Sequence, residues 1–420
     1  MSKMPNLAED FVKKMFLKYY SECFDQVCIP NLFKKREFGG LLSKERIMIR
    51  HRKIETAAEL QEFLCSIIPS DVYFSSAYYE QPDAPEMNSK GWFGADLIFD
   101  VDADHLSTPC DKIHDDWICS KCGFAGKGIS PEKCPVCNSE KFDVKTWPCE
   151  LCVNAAKEEI IKLLEMLKSD FGFSDKEVHV FFSGHRGYHI HVEDDSIRTL
   201  DSVARKEIVD YVCGLGLTVA FGRSRYNDSD ALNLLRTLRL SNYGWRGRIA
   251  QGVYNFISNA AREDYQNIGL KKNFVEAILA NRNMILKNWR EKGTLPLIKG
   301  VGVKNWSKIA EHCARVQSAN VDTVVTTDIH RLIRLAGTLH GKTALKKMEF
   351  QPSEIEDFDP FKDAIAFKDG STSVLVHSAP EFRLGDITFG PYKSEKVELP
   401  TAAALLLVCK NRAEVVSDGI

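Results

Sequence analysis

The chain has 420 residues, 44% of them hydrophobic, which fits roughly two to three domains with a sizeable core and excludes disorder as the dominant state. Lys plus Arg number 56 against 58 for Asp plus Glu, a net charge of −2, so a polyanionic partner would have to meet a local basic patch rather than a general field. No apolar run is long enough to cross a bilayer, and the start, MSKMPNLAEDFVKK, lacks the basic-then-apolar order of a secretion signal; the expected setting is soluble and intracellular.

In chain order, FVKKMFLKYYSECF places apolar residues at helical spacing and predicts an amphipathic helix whose aromatics serve a core. GADLIFDVD, residues 94–102, is the first strong strand. Of 13 cysteines, seven lie between Cys110 and Cys152 in a stretch with C-x2-C pairs, which is metal spacing in a reducing compartment. The scattered remainder (Cys23, Cys28, Cys65, Cys213, Cys313, Cys409) reads as buried or idle thiols. VNAAKEEIIKLLEMLKSDFGF, residues 153–173, predicts a helix that stops near Gly172. EVHVFFS and YHIHVE follow across a short glycine-bearing turn, as in a β-hairpin.

From about 200 to 320 the pattern is helical, with DSVARKEIVDYV, NFVEAILANRNMILKNW and NWSKIAEHCARVQ as its main segments and 222–230 as a connector. Mixed apolar segments return with TTDIHRLIRLAGTLHGKT, residues 326–343; QPSEIEDFDPF predicts an acidic surface loop and STSVLVHS a final strand. The expected organisation is therefore 1–200 as the first part of an α/β core, including a zinc-binding segment at 105–152, then 201–320 as a helical subdomain, then 321–420 as a return to the core.

Strand side chains alternate, so within LIFDVD the residues Ile98, Asp100 and Asp102 share one face. Two adjacent carboxylates repel unless a cation sits between them, and hard oxygen ligands suit Mg or Mn; the other reading is a solvated strand end running on into Asp104. In SGHRGYH, residues 183–189, Gly184 and Gly187 permit close backbone approach, Arg186 can fork onto phosphate oxygens, and Ser183 and His189 add donors: an anion cradle, or an ordinary hairpin turn. The HRLIR and LHGK run supplies Arg331, Arg334, His340 and Lys342, with Asp322 upstream and Lys346 and Lys347 just beyond. Positive groups near paired carboxylates suit a triphosphate, whereas a basic helix face in solvent would suit nothing in particular.

Cys119-x2-Cys122 and Cys134-x2-Cys137, eleven residues apart, form a zinc-ribbon arrangement of four thiolates around one tetrahedral Zn. Cys149-x2-Cys152 is a half site that Cys110 and His114 would complete as a second centre, with His105 as a rival ligand. No open coordination position is implied, so both centres read as structural or template-contacting. A zinc-activated hydrolytic water is the lesser alternative.

Taken together, the N-terminal YY helix, Arg36-Glu37-Phe38, Arg50-His51, KGWFGADLIFDVD, the Cys/His knuckle, KSDFGF, the SGxRGxH motif and VDxxVTTDIHRLIRLxGxLHGKT resemble, in order, the catalytic small subunit of archaeal and eukaryotic DNA primases over about the first 350 residues. The resemblance implies a primase-polymerase catalytic core with mixed β-sheets, a zinc-binding insertion and a helical subdomain. It implies a DNA primase that makes short RNA, or DNA, primers on a single-stranded DNA template from NTPs or dNTPs by two-metal nucleotidyl transfer, with the large primase subunit as partner and no membrane. Its metal triad maps onto Asp100, Asp102 and the acid twelve residues before Arg334, which is Asp322; Asp328 is the runner-up and looks like a helix N-cap. Ser183, Arg186, His189, Arg334, His340 and Lys342 would hold the triphosphate, while His185 fills the motif's variable place. The sequence has LAGTLHGKTAL where the family carries a proline before the small residues and a glycine after KT, which implies a different local turn. The ribbon at 119–137 is an insertion within the family's compact knuckle, and the long Cys-rich segment implies an archaeal source, hence a cytoplasmic setting; a eukaryotic source would make it nuclear. An end-extending or repair polymerase of the same superfamily, and a non-catalytic zinc-ribbon nucleic-acid-binding protein, are the alternative functions.

Overall fold

The computed structural model describes residues 7–42, 47–217, 233 and 235–416. They fall into two compact units, one comprising 1–158, 175–205 and 322–420, the other 159–174 and 206–321. The connector expected at 222–230 lies outside the described residues.

Two four-stranded antiparallel sheets form the centre of the first unit. One runs, in spatial order, Leu332–Arg334, Asp71–Ser75, Phe38–Leu41 and Met48–Arg52; the other runs Met348–Phe350, Val178–Phe182, Gly187–Val192 and Leu97–Asp102. The expected strand over 94–102 is broken at Asp96: Gly94 and Ala95 pair with Ala77–Tyr79 instead, and only Leu97–Asp102 joins the hairpin. Asp96 marks the break because its carboxylate is buried and bound by Arg36 at 2.7 Å and Tyr78 at 2.5 Å, while Arg205 takes its carbonyl. The opening helix, Leu7–Glu22, lays Phe16, Tyr19 and Tyr20 on the first sheet with Phe38, Val72, Phe74, Ile98, Ile333 and Leu405. Burying such rings stabilises by about 2–3 kcal/mol each before entropy is counted.

The Cys-rich segment forms its own three-stranded sheet, ordered Ala125–Lys127, Asp116–Cys119 and Phe142–Lys145. Trp117 fills it, packing edge-on to Phe142 and against Gly126, where a Cβ would come within 2.3 Å of the indole. STSVLVHS is not the last strand. Ser371–Ala379 is the centre of a sheet flanked by Tyr392–Pro400 and Ala413–Val415, and the apolar helix Thr401–Cys409 packs beneath it. Nor is QPSEIEDFDPF a surface loop: its Ile355, Phe358 and Phe361 are buried, with a helical turn at Pro352–Glu354 and another at Pro360–Asp363. Acid-rich composition hid three apolar anchors.

The second unit is helical. Gly244–Asn259 packs along Val303–Gln317, with Gly252 allowing Cys313 to approach, and Arg248 binds Asp170 at 2.7 Å. The single helix expected over NFVEAILANRNMILKNW is two, Lys272–Ala280 and Arg282–Lys292, parted at Asn281, whose side chain bonds back to the Ala277 carbonyl and ends the first. The helix expected from 153 to 173 spans Glu150–Ser169. No helix among the described residues is long and apolar enough to cross a membrane.

Candidate active site and metal centres

Both predicted thiolate sets converge. Cys119, Cys122, Cys134 and Cys137 bring their sulfurs together, as do Cys110, Cys149 and Cys152 with one ring nitrogen of His114, every ligand atom within 4.8 Å of the others in its set. The Cys119–Cys137 and Cys122–Cys134 separations are 3.5 and 3.6 Å, close to the ~3.8 Å edge of a zinc–thiolate tetrahedron with 2.3 Å bonds. His105 is exposed and belongs to neither set. Four protein ligands in each leave no place for a reactive water, so the donor sets fit structural zinc.

The strand Leu97–Asp102 lies against Gly187–Val192 with Asp100 opposite His189 and Asp102 opposite Gly187. Gly187 is required there, since a Cβ would sit 2.5 Å from the Val101 carbonyl. Asp100 and Asp102 face the same cleft as Ile98, as alternation predicts. Asp322 is not among the residues that line this cleft, but its amide donates to the Asp100 carbonyl at 2.9 Å and holds it beside the strand. Burial, and then the charges of Asp102 and Asp322, push the Asp100 carboxyl up to about 7. Asp102 is raised too, by burial and then Asp104. These are like charges brought together in a half-buried place, which is the condition a divalent ion relieves.

The helix-cap expectation for Asp328 is reversed. Asp322 is the N-cap of Thr323–Thr327, its Oδ1 accepting from Val324 at 2.8 Å, while Asp328 follows the helix and caps only the His330 amide. Oδ2 of Asp322 makes no hydrogen bond among the described residues. HRLIR forms no basic helix face either; it turns into the edge strand Leu332–Arg334.

The cleft, of about 220 Å³, is lined by three aspartates, Asp100, Asp102 and Asp104, and by Ser183, His185, His189, Arg331, Arg334, His340 and Lys342. Lys342 is exposed, and it and Arg331 make no ion pair among the described residues. Arg334 is ion-paired to Asp71 and lies over the Tyr73 ring. His340 is pushed well below the usual imidazole range by burial and then Arg334. His189 is likewise neutral, 3.4 Å from Asp100, with its Nδ1 buried and unpartnered. Gly184, at φ +88°, brings its backbone against His340, which a Cβ would meet at 2.8 Å. Ser183 points its hydroxyl inward to the amides of His185 and Gly187.

Arg186 does not line the cleft. It is buried, forked onto Asp115 at 2.8 and 3.0 Å and paired with Asp104. A guanidinium fits carboxylate and phosphate alike, and here a carboxylate took it. Lys347, which the sequence places just beyond the basic run, lies buried beneath His191. Two cleft neighbours escaped notice in the sequence: Lys410, from the far C-terminal segment, meets His185 at 2.6 Å, and Thr146 meets the same ring nitrogen at 3.2 Å. Ala344, at the place after KT where the resemblance implies a glycine, takes φ +57°, which costs a side chain about 1–2 kcal/mol.

Residues 142–350 match the model of the DNA primase small subunit family. The chain is 33% identical over 406 residues to the DNA primase small subunit PriS of Nitrosopumilus maritimus, covering 96% of this chain and 98% of that protein. It is also 33% identical over 410 residues to that of Archaeoglobus fulgidus, covering 97% of this chain and 98% of that protein. The chain belongs to the DNA primase small subunit family. As a primase small subunit it is a nucleotidyltransferase that synthesises RNA primers. The family match spans the hairpin, Asp322 and the basic run, and the full-length likeness extends to Asp100, Asp102 and the thiolate centres. These relatives are archaeal, in keeping with the expected source of this primase subunit.

Proposed function

We propose that the two central sheets form a primase-polymerase core and that primer synthesis takes place in the cleft between Asp100, Asp102 and Asp322 on one side and Lys342, Arg331 and His340 on the other. The carrying observation is the placement of Asp100 and Asp102 on one strand face of a cleft lined by Arg331, Arg334, His340 and Lys342, with Asp322 bonded to the Asp100 carbonyl; burial and these neighbouring acids raise the Asp100 carboxyl. The three acids would hold a pair of Mg or Mn ions, which when bound lower the pKa of an attacking 3′-hydroxyl and stabilise the departing pyrophosphate. Bond formation joins that oxygen to the α-phosphorus of the second nucleotide while the bond to the β-phosphate oxygen breaks.

The chain's own contribution is placement. Lys342 and Arg331 bring uncommitted charge to the β and γ phosphates, and Arg334 adds what Asp71 leaves it. Neutral His189 and His340 supply ring donors, and His185 lines the same wall. Arg186 contributes through the shape of its turn. The template would be single-stranded DNA, the substrates NTPs or dNTPs, the partner the primase large subunit and the setting the archaeal cytoplasm. Both thiolate centres would hold structural zinc.

The test is dinucleotide formation on unprimed single-stranded template with Mg or Mn, with and without the large subunit. New chains from the parent and none from Asp100→Ala support the reading; new chains from Asp100→Ala refute it.

A further inference from the structure

One thiolate centre is wired to the cleft and the other is not. His114 turns Nε2 to Cys110 and Cys152, at 3.3 and 3.7 Å, and its Nδ1 lies 2.9 Å from Asp115 Oδ1. That carboxylate is buried, and it also accepts from Arg186 Nη1 at 3.0 Å, from Arg186 Nη2 at 2.8 Å and from the Trp147 amide at 2.8 Å. Arg186 donates to the Trp147 carbonyl at 3.2 Å and reaches Asp104. Its own carbonyl accepts from the Ala103 amide at 3.2 Å, and the Asp104 amide donates to Asp102 Oδ1 at 2.9 Å. The run therefore begins at a zinc ligand and ends on an acid of the cleft. From Cys119, Cys122, Cys134 and Cys137, by contrast, no hydrogen bond among the described residues leads to the cleft.

Each link restricts the next. A histidine that coordinates through Nε2 must carry its proton on Nδ1, and an ionised carboxylate can only accept, so Nδ1–H donates to Asp115 and fixes its plane. A fixed carboxylate offers Arg186 one fork geometry. A guanidinium this deeply buried has no water to replace a lost partner, so it follows the carboxylate or destabilises the site. Arg186 sits in the Ser183–Gly187 turn, and through Ala103 and Asp104 it holds the end of the aspartate strand.

We propose that the Cys110, His114, Cys149 and Cys152 centre orients the nucleotide hairpin: zinc-held His114 sets Asp115, Asp115 sets Arg186, and Arg186 fixes the Ser183–Gly187 turn against Asp102. Asp115 and Arg186 are thus positioning residues, and the inference rests on the reading of Asp100, Asp102 and Asp322 as the catalytic acids. It accounts for an arginine of the phosphate-cradle motif spending its fork on a carboxylate.

The test uses the full chain with zinc bound and compares Asp115→Asn, Asp115→Glu, Arg186→Lys, the Asp115→Asn and Arg186→Lys double variant, and Asp116→Asn, whose carboxylate faces Arg412 outside the run. Two quantities are read: the rate at which a chromogenic chelator draws zinc, and KM for nucleotide separately from kcat. Asp115→Asn should release one of two zinc ions about tenfold faster, as loss of an outer-shell carboxylate does, and raise KM about tenfold while kcat changes less. Arg186→Lys should raise KM similarly, the double variant should be no worse than either single change, Asp115→Glu should recover part of both, and Asp116→Asn should alter neither. Zinc release as in the parent, unchanged KM with loosened zinc, or additive effects in the double variant would each overturn the proposal. Failure of the catalytic assignment would show separately, as primer synthesis surviving in Asp100→Ala.

Discussion

The amide of Asp322 donates to the carbonyl of Asp100 across 2.9 Å, so two acids more than two hundred residues apart are joined by main chain rather than by their side chains. Replacing either side chain should therefore leave the junction in place. Asp322→Asn keeps an N-cap acceptor for Val324 but removes the charge, and it should lower primer synthesis on the order of a thousandfold with little change in thermal midpoint. Asp322→Ala should lose the same activity and about 1 kcal/mol of stability besides. Equal loss of stability in both variants would show that the charge, not the cap, holds the helix.

Asp100 allows activity and stability to be set against each other. Its carboxyl is raised because burial and two neighbouring acids oppose its ionisation. Removing that charge relieves strain in the protein without a divalent ion in the cleft, so Asp100→Asn should abolish synthesis, retain single-stranded template binding, and raise unfolding stability of the zinc-loaded chain at pH 8, with no Mg or Mn added, by about 2–4 kcal/mol. Added Mn should stabilise the parent and not the variant, which differential scanning would read directly. A variant less stable than the parent without added Mg or Mn would mean that Asp100 is held by a partner other than an ion.

The legible parts of this molecule were those in which spacing alone dictates proximity. Asp100 and Asp102 share a face because strand side chains alternate, and two C-x2-C pairs close on themselves whatever surrounds them. Illegible parts depended on which of several acceptable partners a group would meet. Arg186 could take phosphate or carboxylate, and nothing local announced Asp115, seventy-one positions earlier. Asp322 and Asp328 both precede plausible turns, and only the tertiary bond to Asp100 places the helix between them. The strands Phe38–Leu41 and Met48–Arg52 show no alternation, since FGGL packs glycines and MIRHR is an edge, and Thr401–Cys409 is apolar all round. Lys410 was therefore invisible as a neighbour of His185.

Lys342 offers the cleanest separation of binding from folding. It is exposed, lines the cleft, and has no ion-pair partner among the described residues. Lys342→Ala should leave stability within about 0.5 kcal/mol of the parent. Loss of one charge-assisted contact, about 1.5–3 kcal/mol, should raise KM for nucleotide roughly ten- to a hundredfold. Steady-state kinetics with the triphosphate varied would check this, and a KM equal to the parent's would remove Lys342 from the phosphate contacts.

Lys347 carries the pH dependence. Its ammonium is fully buried, donating to the Arg334 carbonyl at 2.8 Å, 3.4 Å from His191 Nε2 and 4.5 Å from the Phe181 ring centre. Burial, and then the charge of Arg334, lower it to about 7. An unfolded lysine titrates near 10.4, so between about pH 7 and 10 the unfolded chain binds a proton that the folded chain has released, and stability contributed by this group rises with pH across that window. Below pH 7 the full cost of the buried charge is present. Lys347→Met should accordingly be more stable than the parent at pH 7, with the advantage shrinking by roughly 2 kcal/mol at pH 9. Urea unfolding of both proteins at the two pH values isolates the group, because every other titration is shared. At or below about pH 7, where Lys347 is charged, the same variant should synthesise primers poorly, since Asp100 loses one of the positive charges that favour its ionised form. A stability difference that does not change between pH 7 and 9 would show that Lys347 stays protonated in the folded core.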